Sequence, residues 1–274
     1  MSTKKIREIY FSPTNTGRII ADAFSSSFNL IPSSLDLTRD KGMGEHTVLA
    51  DELAVFALPV YGGRLPAIAV ERMKRVHGTG GPAVLLVLYG NRHYDDALLE
   101  LKDLAEDQGF SAVAGGAFIG EHSYSNSTAP VAEGRPDKKD LSLAAEFGVS
   151  VQKKLGLLSS PDERKDLKGL KVFQPPVIPG NSPYKTWTPP EGIAPETADT
   201  TCILCGKCVA ACPVDAVKIE AEQVKTAAAS CIMCSGCVKS CAVGSRSWND
   251  PDIQKISDWL VATCISRREP ELFL

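Results

Sequence analysis

Apolar residues in the first part of the chain follow two alternating patterns. Nearly unbroken apolar runs cover 6–11, 53–60, 83–89 and 112–119, with a weaker run at 29–37. Runs of this kind suit parallel strands covered on both faces. Between them the apolar positions recur at helical spacing. Ile19, Ile20, Ala23 and Phe24 share one side of a first helix. Ile68, Val70, Met73 and Val76 mark a second, with Pro66 at its first helical position. Leu98, Leu101, Leu104 and Ala105 mark a third, which follows Asp95 and Asp96. A fourth spans about 137–155. The alternation predicts a doubly wound α/β domain with a parallel five-stranded sheet. Ligands of such sheets bind at the carboxyl ends of the strands.

The segments leaving those ends carry candidate chemistry. After the first strand, Ser12, Thr14, Asn15, Thr16 and Gly17 run straight into a helix. A helix N-terminus offers free N–H groups and a positive dipole end, and short hydroxyl side chains let a phosphate sit close. An ordinary helix cap by Thr14 or Asn15 is the other reading. The chain has no G-x-G-x-x-G and no Gly-Lys-Ser/Thr at this place, so neither a dinucleotide nor an NTP loop fits. A second loop holds Pro59, Tyr61, Gly62 and Gly63, followed by Arg64. A third holds Tyr89, Gly90, Asn91, Arg92 and Tyr94. Each offers an aromatic plus glycine, which suits close approach of backbone to a flat ring; plain packing is the alternative for Tyr61 and Tyr94. Arg64 and Arg92 either offset a negative ligand or are solvated charges. The loop after the last strand either lies over a bound ring with His122 or Tyr124 as proton donor, or is a solvated surface loop. His46, His77 and His93 read as surface residues.

Two cysteine runs follow. Cys202, Cys205, Cys208 and Cys212 form one C-x2-C-x2-C-x3-C, and Cys231, Cys234, Cys237 and Cys241 form another, 29 residues later. This is the spacing of the bacterial two-cluster run. Structural zinc favours separated C-x2-C pairs, and a disulfide framework suits small secreted domains.

The runs resemble bacterial two-cluster ferredoxins over about 50 residues. Ala242 stands where that family usually has a proline. The resemblance implies two 4Fe–4S clusters with exchanged ligands: Cys202, Cys205, Cys208 and Cys241 on one, Cys231, Cys234, Cys237 and Cys212 on the other. The three loops together resemble a flavodoxin domain over roughly 1–155, and that resemblance implies strand order 2-1-3-4-5 and bound FMN. The phosphate would lie on the Ser12–Gly17 loop and the isoalloxazine between the other two. Gly90, Asn91, Arg92, Tyr94, Asp95 and Asp96 resemble proteins in which a flavodoxin domain is fused to a two-cluster ferredoxin.

The fold expected is therefore α/β and flavodoxin-like over 1–157, a proline-rich linker over 158–197, a smaller α+β two-cluster ferredoxin domain over 198–250, and a C-terminal helix and tail over 251–274. Seven prolines between 175 and 195 make the linker extended and semi-rigid, with Tyr184 and Trp187 available to pin it. Ile253, Ile256, Trp259 and Leu260 have helical spacing, and Cys264 reads as a buried small hydrophobe.

Net charge is −3 and the sequence pI about 5.9, which gives no nucleic-acid footprint. No apolar run approaches a membrane span. Reduced cysteines without an export signal imply the cytoplasm, and oxygen-sensitive clusters suit an anaerobic host. Residues 1–155 carry 17 basic and 19 acidic side chains, unlike the one-sided charge of a freely diffusing carrier. The expected function is an iron–sulfur flavoprotein that relays electrons between clusters and FMN, with a partner protein or small molecule as acceptor. The rivals are an FMN-dependent reductase of a small organic substrate and a structural zinc protein.

Overall fold

Leu53, Val55 and Ala57 face one side of their strand, Ala54, Phe56 and Leu58 the other, and all are fully buried. A strand buried on both sides needs helices over both. Burying each large apolar side chain contributes about 1.5–3 kcal/mol. The computed structural model describes residues 5–40, 42, 44–156 and 174–274. The expected linker segment over 158–173 lies outside the described residues.

The first domain runs β1 (Lys5–Tyr10), α1 (Thr16–Ser25), β2 (Ser33–Asp36), β3 (His46–Val48), β4 (Glu52–Pro59), α2 (Ala67–Met73), β5 (Val76–Gly78), β6 (Pro82–Tyr89), α3 (Ala97–Asp107), β7 (Ser111–Ile119) and α4 (Lys138–Lys154). Next come β8 (Glu196–Thr197), α5 (Lys207–Ala210), β9 (Val217–Glu220), β10 (Gln223–Thr226), α6 (Gly236–Lys239), β11 (Arg246–Ser247), α7 (Pro251–Thr263) and β12 (Glu271–Phe273).

The main sheet has the order β12-β7-β6-β4-β1-β2. Its five N-terminal strands are parallel, in the doubly wound order with β1 beside β2 at one edge. The expected five-stranded sheet gains a sixth strand, because β12 from the tail pairs antiparallel with β7 through Leu272 opposite Gly116. One face packs Phe11, Phe56, Leu85 and Val87 against Met73, Leu98 and Leu101; the other packs Ile6, Val55 and Val84 against Ile20, Phe24, Phe147 and Val151. Asp137 caps α4 by accepting from the Lys139 and Asp140 amides.

Details of the first domain differ from the periodic reading. Pro66 is the N-cap of α2 instead of its first residue, because its extended backbone lies outside the helix. Val76 belongs to β5, which pairs with β3 in a small parallel sheet. Ile19 is exposed, since the buried stripe of α1 runs through Ile20, Ala21 and Phe24.

The second domain is small. β9 and β10 form a hairpin, β11 pairs with β8, and α5 and α6 repeat one another at the 29-residue offset of the cysteine runs. Glu196 and Thr197, expected at the linker's end, are thus part of this domain's sheet.

Residues 174–195 follow the first domain instead of spacing the two apart. Asp96 accepts from the Asn181 amide and side chain at 2.8 and 2.9 Å and from the Lys185 amide at 2.6 Å. Burial pushes the Asp96 carboxyl up, but these bonds outweigh it and hold the group below its ordinary range. Tyr184 donates to Asp103. Arg64 forks onto Glu100 at 2.8 Å through Nε and Nη2, donates to Lys185 O and lies 4.8 Å over the Tyr184 ring. It therefore serves the linker, neither a negative ligand nor bulk water.

Candidate functional site

The loops leaving β1, β4, β6 and β7 surround a cavity of about 320 Å³. That is the size of a small-ligand site, at the carboxyl ends of a doubly wound sheet. Ser12, Thr14, Thr16 and Gly17 line it from the first loop. Ser12 Oγ accepts from the amides of Gly17 at 3.0 Å and Arg18 at 3.3 Å; Asn15 occupies the N-cap of α1 but its side chain makes no cap bond, so the capping oxygen is that of Ser12. The Thr14 and Thr16 hydroxyls lie 3.5 Å apart beside the helix start. They suit a phosphate there.

Pro59, Tyr61 and Gly62 form the second wall. Tyr61 and Arg64 exchange backbone hydrogen bonds at 2.8 and 3.1 Å, closing a turn through Gly62 at φ 59° and Gly63 at φ 90°. A Cβ on Gly62 would lie 2.2 Å from the Trp187 ring, so only glycine lets the linker close over this loop. Tyr89, Gly90 and Arg92 form the third wall, with Arg92 paired to Asp95. Glu121, His122, Ser123 and Tyr124 complete it.

Four expected ligand contacts lie elsewhere. Tyr94 turns into the core, donates to Glu271 Oε2 at 2.8 Å and stacks on His93 at 4.9 Å. Burial pushes its phenol up, and the Glu271 carboxylate adds to this. Asn91 is buried and spends its side chain on the tail, donating to Cys264 O at 2.6 Å and Ser266 O at 2.8 Å and accepting from Arg268 N at 3.2 Å. Gly63 faces Asp95, and Asn15 holds a left-handed backbone at φ 68° away from the cavity.

Both proton-donor candidates line the cavity. Burial lowers His122 to about 4, and the charges of Lys239 and Arg92 push the same way. Its Nδ1 accepts from the Tyr124 amide at 3.1 Å, which places the ring proton on Nε2. His122 is thus a neutral N–H donor, not an acid. Burial pushes the Tyr124 phenol up, so it keeps its proton. The remaining histidines have partners: His46 meets Asp40 at 3.2 Å and His77 meets Glu45 at 2.6 Å.

The cavity roof comes from later in the chain: Trp187, Thr188 and Pro190, then Ile232 and Met233, then Ile256, Trp259 and Leu260 of α7. Cys264, the C-cap of α7, is partly exposed instead of buried.

Two further voids lie in the second domain. Cys202, Cys205, Cys208 and Cys241 line one; Cys212, Cys231, Cys234 and Cys237 line the other. Cys212 and Cys241 thus each line the void of the other run. Leu204 and Gly206 in the first run, and Met233 and Ser235 in the second, share positive φ between 51° and 72°. Non-glycine residues resist that conformation by about 1–2 kcal/mol, and strain of this sort collects at ligand-holding loops. The Ala216 amide donates to Cys212 Sγ and Arg246 to Cys237 Sγ, each at 3.3 Å. Burial pushes the Cys234 thiol up to about 12, and a bound metal centre is what would ionise it. Each void thus presents four thiols around a space, the second with N–H donors aimed at two of its sulfurs, and fits an iron–sulfur group.

The domains meet at this point. Ile232 lines both the central cavity and the second cysteine void. Tyr61 and Tyr124 stand against the same cysteines: burial raises Tyr61 most, and Cys234 is the next contributor. Arg72 donates to Leu37 O, Thr38 O and, at 2.6 Å, to Pro213 O beside Cys212. Lys239 pairs with Glu121, and Gly236 packs on Pro13.

Comparison with known proteins gives a family model over the second domain and structural likenesses over the first. Residues 194–242 match the family model described as 4Fe-4S dicluster domain. The N-terminal half is similar to solved flavodoxins: one from Streptococcus pneumoniae TIGR4 at 15% identity, TM-score 0.39, covering 54% of this chain and 98% of that one. Flavodoxin 2 from Bacillus cereus aligns at 13%, TM-score 0.37, covering 55% and 99%. An archaeal flavodoxin aligns at 12%, TM-score 0.36, covering 56% and 99%. No curated protein matches. The chain joins a flavodoxin-like α/β domain, defined by its strand order, to a 4Fe–4S ferredoxin domain. Among the described residues no helix is long and apolar enough to cross a membrane.

Proposed function

We propose that this protein is an electron relay in which two 4Fe–4S clusters, on the exchanged cysteine sets, serve an FMN held in the central cavity. Bound flavin supplies the capacity to take one or two electrons. The residues supply place and insulation. Thr14 and Thr16 hold the phosphate, Tyr61 and Gly62 approach one side of the ring, and Gly90 and Arg92 the other. Trp187 and α7 exclude water from above.

The observation that carries this reading is Ile232, a wall common to the cavity and the second cysteine void. The first cysteine set faces outward: Cys205 is exposed and Ile203 is 63% exposed, which suits it to receive electrons from a partner.

The test is anaerobic purification with iron, sulfide and flavin measured per chain, then stopped-flow reduction by a low-potential one-electron donor. About eight iron, about eight sulfide and one FMN are expected, with flavin reduction slowed at least tenfold in Cys205→Ser. Iron without flavin would remove the relay, and zinc without sulfide would remove the redox reading. Turnover of small enones or nitro compounds as fast as flavin reduction would make the protein a reductase instead.

A further inference from the structure

Arg246 lies in the interior of the ferredoxin domain, 3% exposed. It donates through Nη1 to Thr197 Oγ1 at 2.7 Å and through Nη2 to Thr226 Oγ1 at 2.9 Å, Pro195 O at 3.2 Å and Cys237 Sγ at 3.3 Å. Its Nε is buried without a partner. Arg246 also lines the void of Cys202, Cys205, Cys208 and Cys241, where its backbone amide bonds to Cys241. One residue therefore borders both cysteine sets, its guanidinium on Cys237 and its backbone amide on Cys241.

A guanidinium stays charged inside a protein. Burying such a charge costs several kcal/mol unless an opposite charge offsets it. Arg135, also buried, has Asp140 as its partner. Arg72 spreads its donors over three carbonyl oxygens. The oxygen partners of Arg246 are neutral, one donor is unused, and among the described residues no carboxylate pairs with it. The negative charge on its borders is that of the cysteine sulfurs and whatever they hold.

We propose that Arg246 is the internal counter-ion of the two iron–sulfur groups and holds the reduction potential of the one on Cys237 above the value a neutral residue would give. The inference rests on the proposed cluster content. Reduction adds one negative charge, so a nearby cation and an N–H···S bond favour the reduced form more than the oxidised one. Cys237 belongs to the set that shares Ile232 with the flavin cavity. The effect therefore falls on the centre next to the flavin.

The test uses the full chain, loaded anaerobically, as wild type, Arg246→Gln and Arg246→Lys. Iron and sulfide are measured first, then cluster potentials by redox titration followed by EPR. The Gln variant should be reduced at least tenfold less favourably, a fall of about 59 mV for one electron. The Lys variant keeps the charge without the planar fork and should fall between. A fully loaded Gln variant with unchanged potentials would overturn the proposal and leave the relay standing. A wild type without iron would overturn the relay itself. If the Gln variant loses its clusters, wild type carrying 15N-guanidino arginine decides by pulsed EPR. A nitrogen coupling to the reduced cluster is expected, and its absence defeats the proposal.

Discussion

His122 keeps a neutral ring because the cavity wall withholds water and because Lys239 and Arg92 add positive charge nearby. Its ordinary value is 6.5 and its folded value about 4. Between the two, the unfolded chain binds more protons, so stability is complete above 6.5 and falls as pH drops toward 4. In His122→Gln that acid limb should flatten. Anaerobic thermal melts between about pH 5 and 7 should show the variant gaining on wild type as pH falls; parallel curves would mean that the imidazole titrates as if free. At this scale residue type alone misleads. Tyr61 and Tyr94 are both aromatics of glycine-bearing loops, yet Tyr61 faces the cavity and Tyr94 the core. The difference is made by Glu271, 177 positions away from Tyr94, which gives its hydroxyl a buried acceptor. Asn91 likewise is engaged by tail carbonyls that no local pattern announces.

Strands β4, β6 and β7 were legible because burial on both faces leaves an unbroken apolar run. The three-residue strands β3, β5 and β12 are too short for periodicity, and each exists through its partner. β12 depends on the anchoring of its approach: Asn91 holds Cys264, Ser266 and Arg268, while Arg267 pairs with Asp137 at 2.6 Å. Asn91→Ala leaves the Cys264 and Ser266 carbonyls and the Arg268 amide without their partner. It should cost about 2–3 kcal/mol. The measurement is hydrogen exchange: amides over 265–273 should lose protection while those of β4 and β6 keep theirs. Unchanged protection of the tail would show that β12 holds by itself. Because α7 lies between the ferredoxin domain and this anchor, the same change should loosen the cavity roof formed by Ile256, Trp259 and Leu260.

Across the whole molecule, Arg72 fastens the ferredoxin domain beside the cavity by reaching Pro213 O from the flavodoxin-like domain. Lysine in its place is a point charge that cannot fork across three carbonyls. Arg72→Lys should retain iron and flavin yet slow cluster-to-flavin transfer at least tenfold, read by stopped-flow flavin bleaching under a one-electron donor. An unchanged rate would assign the docking to Lys239 and Gly236 instead. The sequence by itself determined the doubly wound domain and the two cysteine runs, because side-chain periodicity and ligand spacing are local properties of the chain. Cysteines two residues apart must lie close in space, and two-sided apolar runs must be covered by helices. Only the tertiary structure decided that the linker closes over Gly62, that α7 roofs the cavity, that Arg246 is buried beside the cysteine voids, and that Ile232 lines both the cavity and the second cysteine void. Those relations join residues far apart in the chain, and they are fixed by complementary surfaces and buried polar contacts, neither of which leaves a repeat in the sequence.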